Sequence, residues 1–317
     1  MAQPGGNDVE SEELYDVDSC PLENAQNLTF MAEKNEWETT ETQIRVARRM
    51  FAYGPKNGCI RMKDVNTDEE KVLKKSFDRE ETVEDIYDSI KMQKLAALCC
   101  QLFCARSTER CQPRFLDVCI YVLKQRPSMP KIRVEGIVSD PYEKRPVALI
   151  PATASQEDVI ESHRFAAFQF FTYEQSGHGM VVTDAQVVQG LWTEPIIASS
   201  DRSLGGRADH GAEAILDWVS AFTSTYAGLL NLEEKVLMSL TPEEFVAIID
   251  ERGLLGGAPI QPSPQRKTAT VEAPVHATGR AFEEAGQIQE EEEEIQEEEQ
   301  QQEAARSPVE EQREEQG

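Results

Sequence analysis

Hydrophobic and polar residues alternate over the first part of the chain and then switch to a helical period. From residue 42 onward, short alternating runs separated by Gly and Asn-Thr-Asp turn signals predict strands at residues 59–65 and 70–77. Between residues 82 and 105, apolar residues recur every three or four positions, which predicts a long amphipathic helix. Thr82 suits the N-cap of this helix, with Asp85 three residues later.

The second part of the chain carries mostly helical patterns. A polar, Pro-rich segment, residues 139–156, precedes it and resembles a connection between two lobes. The last helix has the clearest signals: Thr241 as N-cap, Pro242 in the first turn, Glu244 closing a capping box and Gly253 as the stop. The other elements that the pattern predicts are strands at 115–123, 132–138 and 180–183 and helices at 158–171 and 211–230.

Strands followed by helices predict an α+β fold of two lobes with a ligand cleft between them. The N-lobe covers about residues 41–138 and the C-lobe about residues 139–255. Residues 1–40 are acidic and lack periodicity, which predicts a disordered N-terminus. After residue 255 a Gly/Pro linker leads into a Glu/Gln-rich tail, and residues 256–317 are predicted to be disordered.

Acidic residues concentrate in this tail. The 317 residues carry a formal charge of −26, and residues 282–317 alone hold 15 acidic residues and two arginines, a balance of −13. Phosphate backbones repel a chain of this charge, which argues against a nucleic-acid partner. The same field favours basic proteins or peptides as partners or substrates.

Seven cysteines, an odd number, follow an N-terminus that has no apolar targeting core. The longest uncharged apolar run, residues 95–105, is about half of a membrane span, so no membrane partner is expected. These features predict an intracellular, cytoplasmic protein with reduced thiols. Cys99, Cys100 and Cys104 fall within the helical spacing of that run, which favours small buried thiols over metal ligands.

Three segments carry candidates for phosphate and nucleotide binding. Gly54 and Gly58 bracket a loop between strands, where glycines let backbone amides approach phosphate, although a simple turn has the same pattern. Lys74 or Lys75 projects from the end of a strand and offers a point charge to phosphate, unless the pair is a solvated edge. Glu135 is the acidic residue of an otherwise apolar strand, where a solvent-facing role is the alternative.

The strongest candidate segment is MVVTDAQVVQGLWTEP, residues 180–195. Asp184 and Gln186 lie two residues apart and so on one side of an extended segment, and Glu194 follows ten residues after Asp184. Mg²⁺ takes a few carboxylate or amide oxygens and leaves its other positions to water and phosphates. The segment therefore predicts a magnesium site at a strand end, with an acidic surface loop as the alternative.

The longer string TYEQSGHGMVVTDAQVVQGLWTEPII resembles the central motif of the alpha-kinase family. These are atypical protein kinases of the elongation-factor-two kinase and myosin-heavy-chain kinase type, and this chain would be a divergent member. Four further strings fall in the family's order, so that the resemblance covers about residues 45–228. They are FAYGPKNGCIRMKDV, VLKKSF, CIYVLKQRP and VEG.

The resemblance implies a two-lobed protein-kinase-like fold, ATP and Mg²⁺ as ligands, and phosphoryl transfer to a serine or threonine of a protein substrate. It places Lys74, or Lys75 if the register shifts by one, at the phosphates, and Glu135 at the adenine. Catalysis would fall to Asp184 and Glu194, of which Glu194 also binds the metal together with Gln186. ADHGAEAILDW resembles the family's last glycine loop, which adds Asp209 and Gly211 to the nucleotide site.

Departures from the family pattern leave two functions open. Val187 replaces a glycine, which would strain a backbone of positive φ, and Glu194 replaces an aspartate. The positions of the family's structural zinc ligands hold Phe170, Phe222, Ser224 and Gly228, so we expect an apolar plug and no zinc. The chain is therefore either an active serine/threonine kinase or a catalytically impaired binding or scaffold domain.

Overall fold

Strands make up most of the first half of the folded chain and helices most of the second. This computed structural model describes residues 16–53, 57–78, 81–126, 131–136, 145–147, 155–204 and 206–256. Of these, residues 16–32 and 36–256 belong to one structural unit. The strands are β1 Glu23–Met31, β2 Glu36–Tyr53, β3 Asn57–Asp64, β4 Glu69–Ser76, β5 Val118–Leu123, β6 Lys131–Gly136, β7 Arg145–Pro146, β8 Met180–Val188 and β9 Leu191–Ser199. The helices are α1 Val83–Arg106, α2 Gln156–Gln175, α3 Gly211–Leu230, α4 Glu234–Leu237 and α5 Pro242–Glu251.

Six antiparallel strands close into a barrel in the order β1-β2-β3-β4-β6-β5, because β1 pairs with both β2 and β5. Alternate side chains point inward and form one apolar core, including Ile44, Met62, Leu73 and Val134. Each of these four is fully buried, and each such burial contributes on the order of 1.5–3 kcal/mol. The barrel is thus the rigid support for any side chain at its rim.

Residues 16–40 correct the prediction of a disordered N-terminus, whereas residues 1–15 lie outside the described ranges. Strand β1 lies within residues 1–40, and β2 begins at Glu36, before the predicted start of the N-lobe at about residue 41. Ala25 and Phe30 are buried, and the Phe30 ring packs 5.2 Å from that of Trp37. The polar faces of these strands hide them in the sequence, because their stability depends on pairing with other strands. β2 pairs with β1 and β3, and β1 also pairs with β5, nearly a hundred residues away.

Helix α1 confirms the long amphipathic helix. Thr82 caps it through a reciprocal capping box with Asp85, as the sequence indicates. The helix packs on the barrel: Ile90 belongs to a cluster with Val118 and Ile120, and the Tyr87 ring lies 4.7 Å from that of Trp37. One face of α1 is therefore held against β5 and the β1–β2 pair, which fixes the side chains on its buried face.

Strand β8 runs five residues further than the predicted strand at 180–183. It turns back through Gln189 and Gly190, whose φ angles are 48° and 76°, into strand β9. Two consecutive positive φ values match the two-residue turn that suits the twist of a hairpin. Together with β7 the hairpin forms a second sheet, so the segment that carries the candidate acids is two paired strands rather than a strand and a loop.

The helical part encloses an aromatic cluster. Phe170 of α2 stacks on Phe222 of α3 with ring centroids 5.3 Å apart and an interplanar angle of 8°, and Phe245 of α5 contacts both rings. All three side chains are at most 1% exposed. Two of the positions where the resemblance implies zinc ligands thus hold contacting rings, as expected of an apolar plug.

Several sequence predictions fall on residues outside the described ranges. These are Gly54, the lobe boundary near residue 138 and the tail after residue 256. Within the described ranges, none of the helices combines the length and hydropathy required to cross a bilayer.

Candidate functional site

Lys74 lies where the barrel meets the β8–β9 hairpin. On β4 it pairs with Cys59 of β3 and Arg133 of β6, and its side chain is only 4% exposed. Lys75, the alternative in the sequence analysis, is exposed, because consecutive strand residues face opposite sides. The structure therefore brings Lys74, and not Lys75, to Glu135 and Glu194.

Two carboxylates contact the Lys74 ammonium. Glu135 Oε1 of β6 lies 2.7 Å from Lys74 Nζ, and the Glu135 side chain is fully buried. Glu194 Oε1 of β9 also accepts a hydrogen bond from Lys74 Nζ, and its side chain is 26% exposed. Glu135 is thus not the solvent-facing strand residue that one interpretation allowed, and it anchors the lysine from inside the protein.

The pKa of Lys74 reflects this environment. Burial on its own would lower it, but the negative charges of Glu135 and Glu194 outweigh the effect of burial. The pKa therefore lies above its usual value, and Lys74 is positively charged. The charged Lys74 ammonium, which contacts the partly exposed Glu194 carboxylate, is suited to bind anionic oxygens.

Gln93 of α1 lies next to this ion pair, and the sequence analysis did not identify it. Its side chain is fully buried, and its Oε1 accepts hydrogen bonds from Glu194 N at 3.0 Å, Arg133 Nη2 at 2.6 Å and Thr193 Oγ1 at 3.3 Å. Its Nε2 donates to Leu116 O at 2.6 Å. The available signal was an uncharged polar residue on the apolar face of a helix, three residues after Ile90.

Asp184 and Gln186 lie within β8 and Glu194 lies within β9, so the three candidates are on the paired strands of the hairpin and not at a strand end. Asp184 is opposite Ile196, and Gln186 is opposite Thr193, with register shifts on both sides of Asp184. Glu194 has a φ of 51°, a region that bulky residues rarely adopt. Of these three residues, Glu194 contacts Lys74 directly, and its negative charge also acts on the Asp184 carboxyl.

Val187 does not cause the strain that the family pattern suggested. It is not among the described non-glycine residues of positive φ, and it pairs with Trp192 of β9 and Arg145 of β7 as a regular strand residue. Its side chain is 5% exposed. The left-handed positions of the hairpin are Gln189, Gly190 and Glu194, so the residue to question is Glu194.

Asp184 is exposed and borders a cavity of about 220 Å³. Side chains of α2, β8 and α3 line it, among them Gln169 and Trp218. Partial burial, and secondarily the negative charge of Glu194, raise the pKa of Asp184 above its usual value. This carboxylate is therefore more basic than an ordinary surface aspartate while remaining accessible.

Asp209 accepts hydrogen bonds from the backbone in the described structure. Its carboxylate accepts hydrogen bonds from Ser199 N at 2.9 Å, Gly211 N at 2.8 Å and the Ser199 hydroxyl. It is 6% exposed and joins the end of β9 to the start of α3. Gly211 has a φ of 71°, a backbone conformation in which a side chain would be strained, so the position favours glycine. Their role as nucleotide ligands remains a prediction.

Gly58 lies at the start of β3, opposite Tyr53 and Lys75. A Cβ at this position would collide with Met50 Sδ and lie 2.9 Å from Phe77 Cζ. The described contacts thus explain this glycine by close packing against the Met50 and Phe77 side chains. Its approach to phosphate stays a prediction, since the loop residues 54–56 lie outside the described ranges.

Comparison with known proteins identifies relatives of this arrangement. A model of the alpha-kinase family matches residues 48–227. "Alpha-protein kinase 1" of Dictyostelium discoideum is 25% identical over 213 residues, which are 65% of this chain and 15% of that protein. Eukaryotic elongation factor 2 kinase of Homo sapiens is 25% identical over 197 residues, 58% of this chain and 26% of that protein. The chain thus matches about a quarter or less of the length of these curated relatives.

Solved structures show the same fold. The apoenzyme alpha-kinase domain of myosin-II heavy chain kinase A superposes with a TM-score of 0.54 at 19% identity, covering 69% of this chain and 98% of that domain. The same kinase domain in complex with AMP gives a TM-score of 0.52 at 19% identity, and the match covers 63% of this chain and 94% of that domain. At this level of identity the likeness demonstrates a shared architecture, α+β as the sequence predicts.

Proposed function

The chain belongs to the alpha-kinase family, and from this premise we propose that it binds ATP with Mg²⁺ and phosphorylates serine or threonine hydroxyls of a protein substrate. The observation that carries the proposal is the buried ion pair of Lys74 and Glu135, with the more open Glu194 on the same ammonium. Burying charged groups is costly even when they are paired. Their presence beside an accessible carboxylate therefore supports a chemical role for this cluster.

In this proposal Lys74 meets the phosphate oxygens of ATP. Glu135 holds the ammonium in place from the buried side, and Lys74 exchanges its contact with Glu194 for the phosphates. Positioning and charge neutralisation are the main protein contributions to phosphoryl transfer. A pre-oriented, positively charged Lys74 supplies both.

Asp184, Gln186 and Glu194 fit Mg²⁺ by the chemistry of their oxygens. Within the described residues, no three His, Cys, Asp or Glu side chains cluster as a ready-made metal cage. Mg²⁺ commonly binds through one or two carboxylates plus substrate phosphates, so such a cage is not required. The ion, when bound, would neutralise charge on the transferred group.

Asp184 is the residue that we propose to receive the proton of the acceptor hydroxyl. The hydroxyl oxygen forms a bond to the γ-phosphorus, the bond from that phosphorus to the bridging oxygen of ADP breaks, and the hydroxyl proton passes to the Asp184 carboxylate. The raised pKa of Asp184 favours this acceptance, and its exposure allows a substrate side chain to approach. The net charge of −26 supports basic peptides as substrates.

A second function is favoured by Glu194 itself. Its φ of 51° suits Asp better than Glu, and its carboxylate occupies the Lys74 ammonium. A displacement of about 1 Å can cost on the order of a hundredfold in rate. The alternative is therefore a domain that binds nucleotide but transfers phosphate poorly and acts through partners.

The test separates binding from transfer. Mg²⁺-dependent ATP binding is measured by thermal shift for the wild type, Asp184→Ala and the exposed control Asp217→Ala, whose residue lies on α3. We expect an ATP-induced shift in the wild type and the control and a reduced shift in Asp184→Ala. A wild type that shows no shift would contradict the nucleotide proposal.

Transfer of labelled phosphate to a generic basic peptide then distinguishes the two functions. We expect incorporation by the wild type and the control and loss of it in Lys74→Ala and Asp184→Ala. Binding without incorporation would favour the impaired domain. An acidic peptide of equal length serves as the control for the proposed preference for basic substrates.

A further inference from the structure

We propose that Gln93 is a positioning residue of the catalytic site, because its side-chain carbonyl holds the backbone of Glu194 in the orientation that phosphoryl transfer requires. The inference rests on the proposed kinase function and adds to it a residue outside the motif of the β8–β9 hairpin. Gln93 does not touch Lys74 in the described contacts and acts through the residues around it.

The contacts of Gln93 join four elements. Its carbonyl accepts from Glu194 N and Thr193 Oγ1 of β9 and from Arg133 Nη2 of β6, and its amide donates to Leu116 O before β5. Arg133 Nη2 in turn lies 3.2 Å from Glu135 Oε1, the partner of Lys74. The Gln93 amide therefore links the backbone of Glu194 to Arg133, which contacts the Glu135 carboxylate.

The backbone of Glu194 is the part of the site that most requires such a support. A φ of 51° is unfavourable for a glutamate, and residues in such conformations persist only where surrounding contacts hold them. The hydrogen bond from Glu194 N to Gln93 is one of these contacts, at 3.0 Å. Without it, the peptide can relax towards an ordinary strand conformation and move the carboxylate away from its present place.

A space-filling role does not account for Gln93. Its side chain is fully buried on a helix face whose neighbours Ile90 and Ala96 are apolar, where leucine or methionine would fill the same volume at no polar cost. An amide is suited to this position because the partly buried donors Glu194 N and Arg133 Nη2 and the carbonyl of Leu116 need a partner. Those donors belong to the candidate site.

The test compares Gln93→Met with Gln101→Met. Methionine keeps the length and helix propensity of glutamine but not its hydrogen bonds, and Gln101 is exposed on the same helix. We expect Gln93→Met to lower kcat on the order of a hundredfold, with a smaller change in KM for ATP, while Gln101→Met matches the wild type. Hydrogen exchange of the Glu194 amide should accelerate in Gln93→Met only.

The exchange measurement does not depend on activity, so the two proposals can fail separately. A wild type that does not bind Mg·ATP overturns the kinase proposal, and this inference with it. An active wild type whose Gln93→Met variant keeps its kcat, or loses activity only in proportion to the fraction unfolded, overturns the inference alone. Faster exchange at Glu194 together with a lower kcat in folded protein supports it.

Discussion

Two buried clusters of this protein have opposite chemistry. The polar cluster, which consists of Gln93, Lys74, Glu135, Arg133 and Glu194, joins the barrel to the β8–β9 hairpin through charged and amide contacts. The aromatic cluster of the helical part stacks rings from α2, α3 and α5, and it holds no charged group. Both clusters lie in the same structural unit, yet only the first contains side chains that can bind phosphate.

The difference indicates where stability and where function reside. Burying paired charges rarely gains stability over an apolar replacement, whereas stacked aromatics gain both buried area and favourable ring geometry. The polar cluster also includes a left-handed glutamate, Glu194, which adds strain. The polar cluster, with its strained Glu194 and the accessible Asp184, has the features expected of a catalytic site. The aromatic cluster has the features expected of a structural core.

The largest effect is expected from Lys74→Met, which breaks the polar cluster. Glu135 would be left buried without its main partner, and removal of one member of a buried pair costs about 3–5 kcal/mol. We expect this loss in the free energy of unfolding measured with urea, and loss of ATP-dependent phosphate transfer. Lys75→Met, which changes the exposed neighbour, should alter neither quantity. Equal effects of the two variants would contradict the assignment of Lys74.

Phe170→Ala tests the aromatic cluster. The side chain is fully buried between Phe222 and Phe245, and truncation of such a residue costs about 3–5 kcal/mol. We expect lower stability in urea with unchanged Mg·ATP affinity of the folded fraction, in contrast to Lys74→Met. Tyr53→Ala, at a residue that is 72% exposed, is the matched control.

Treatment with a chelator tests whether the aromatic cluster is stable without zinc. If rings have taken the place of zinc ligands, the melting temperature in the absence of nucleotide should not change when a strong zinc chelator is added. The measurement is a thermal unfolding scan of protein dialysed with and without the chelator. A drop in melting temperature that zinc restores would show that the helical part depends on a metal after all.

Glu194→Asp is expected to change activity more than stability. Aspartate tolerates a φ of 51° better than glutamate, and it shortens the side chain that now reaches Lys74. If the extra methylene displaces the carboxylate, the rate of phosphate transfer should rise, by as much as on the order of a hundredfold. The exposed Glu213→Asp on α3 controls for the substitution itself. A slower Glu194→Asp enzyme would show that this site is adapted to glutamate.

The smallest effect concerns pH. His163 of α2 is buried with its Nδ1 2.9 Å from Tyr226 Oη, and burial lowers its pKa below the usual value. As the pH falls below about 6.5, His163 therefore binds a proton in the unfolded state before it does so in the folded state. The free energy of unfolding should decrease as the pH falls from there towards the lower pKa of His163 in the folded state. We expect urea midpoints to fall less between pH 7.5 and 5.5 in His163→Gln than in the wild type.

Local signals predicted much of the helical structure and the identity of several site residues. The capping boxes of α1 and α5 and the apolar spacing of α1 depend on residues close in sequence, and the structure confirms them. Asp184 and Glu194 stand out because carboxylates beside apolar strands are unusual. Strand β1, the second half of β8 and strand β9 were missed, because their stability comes from partners across the sheet and from a turn of positive φ.

The sequence by itself determined the family, the α+β order of elements and the residue types that a nucleotide site requires, since these follow from motif, period and charge. Only the tertiary structure decided that Lys74, rather than Lys75, contacts Glu135 and Glu194, and that Glu194, not Val187, has the strained backbone. It also brought Gln93 from a distant helix to the amide of Glu194. Such contacts depend on how a barrel, a helix and a hairpin pack together, and no local pattern in the chain encodes that geometry.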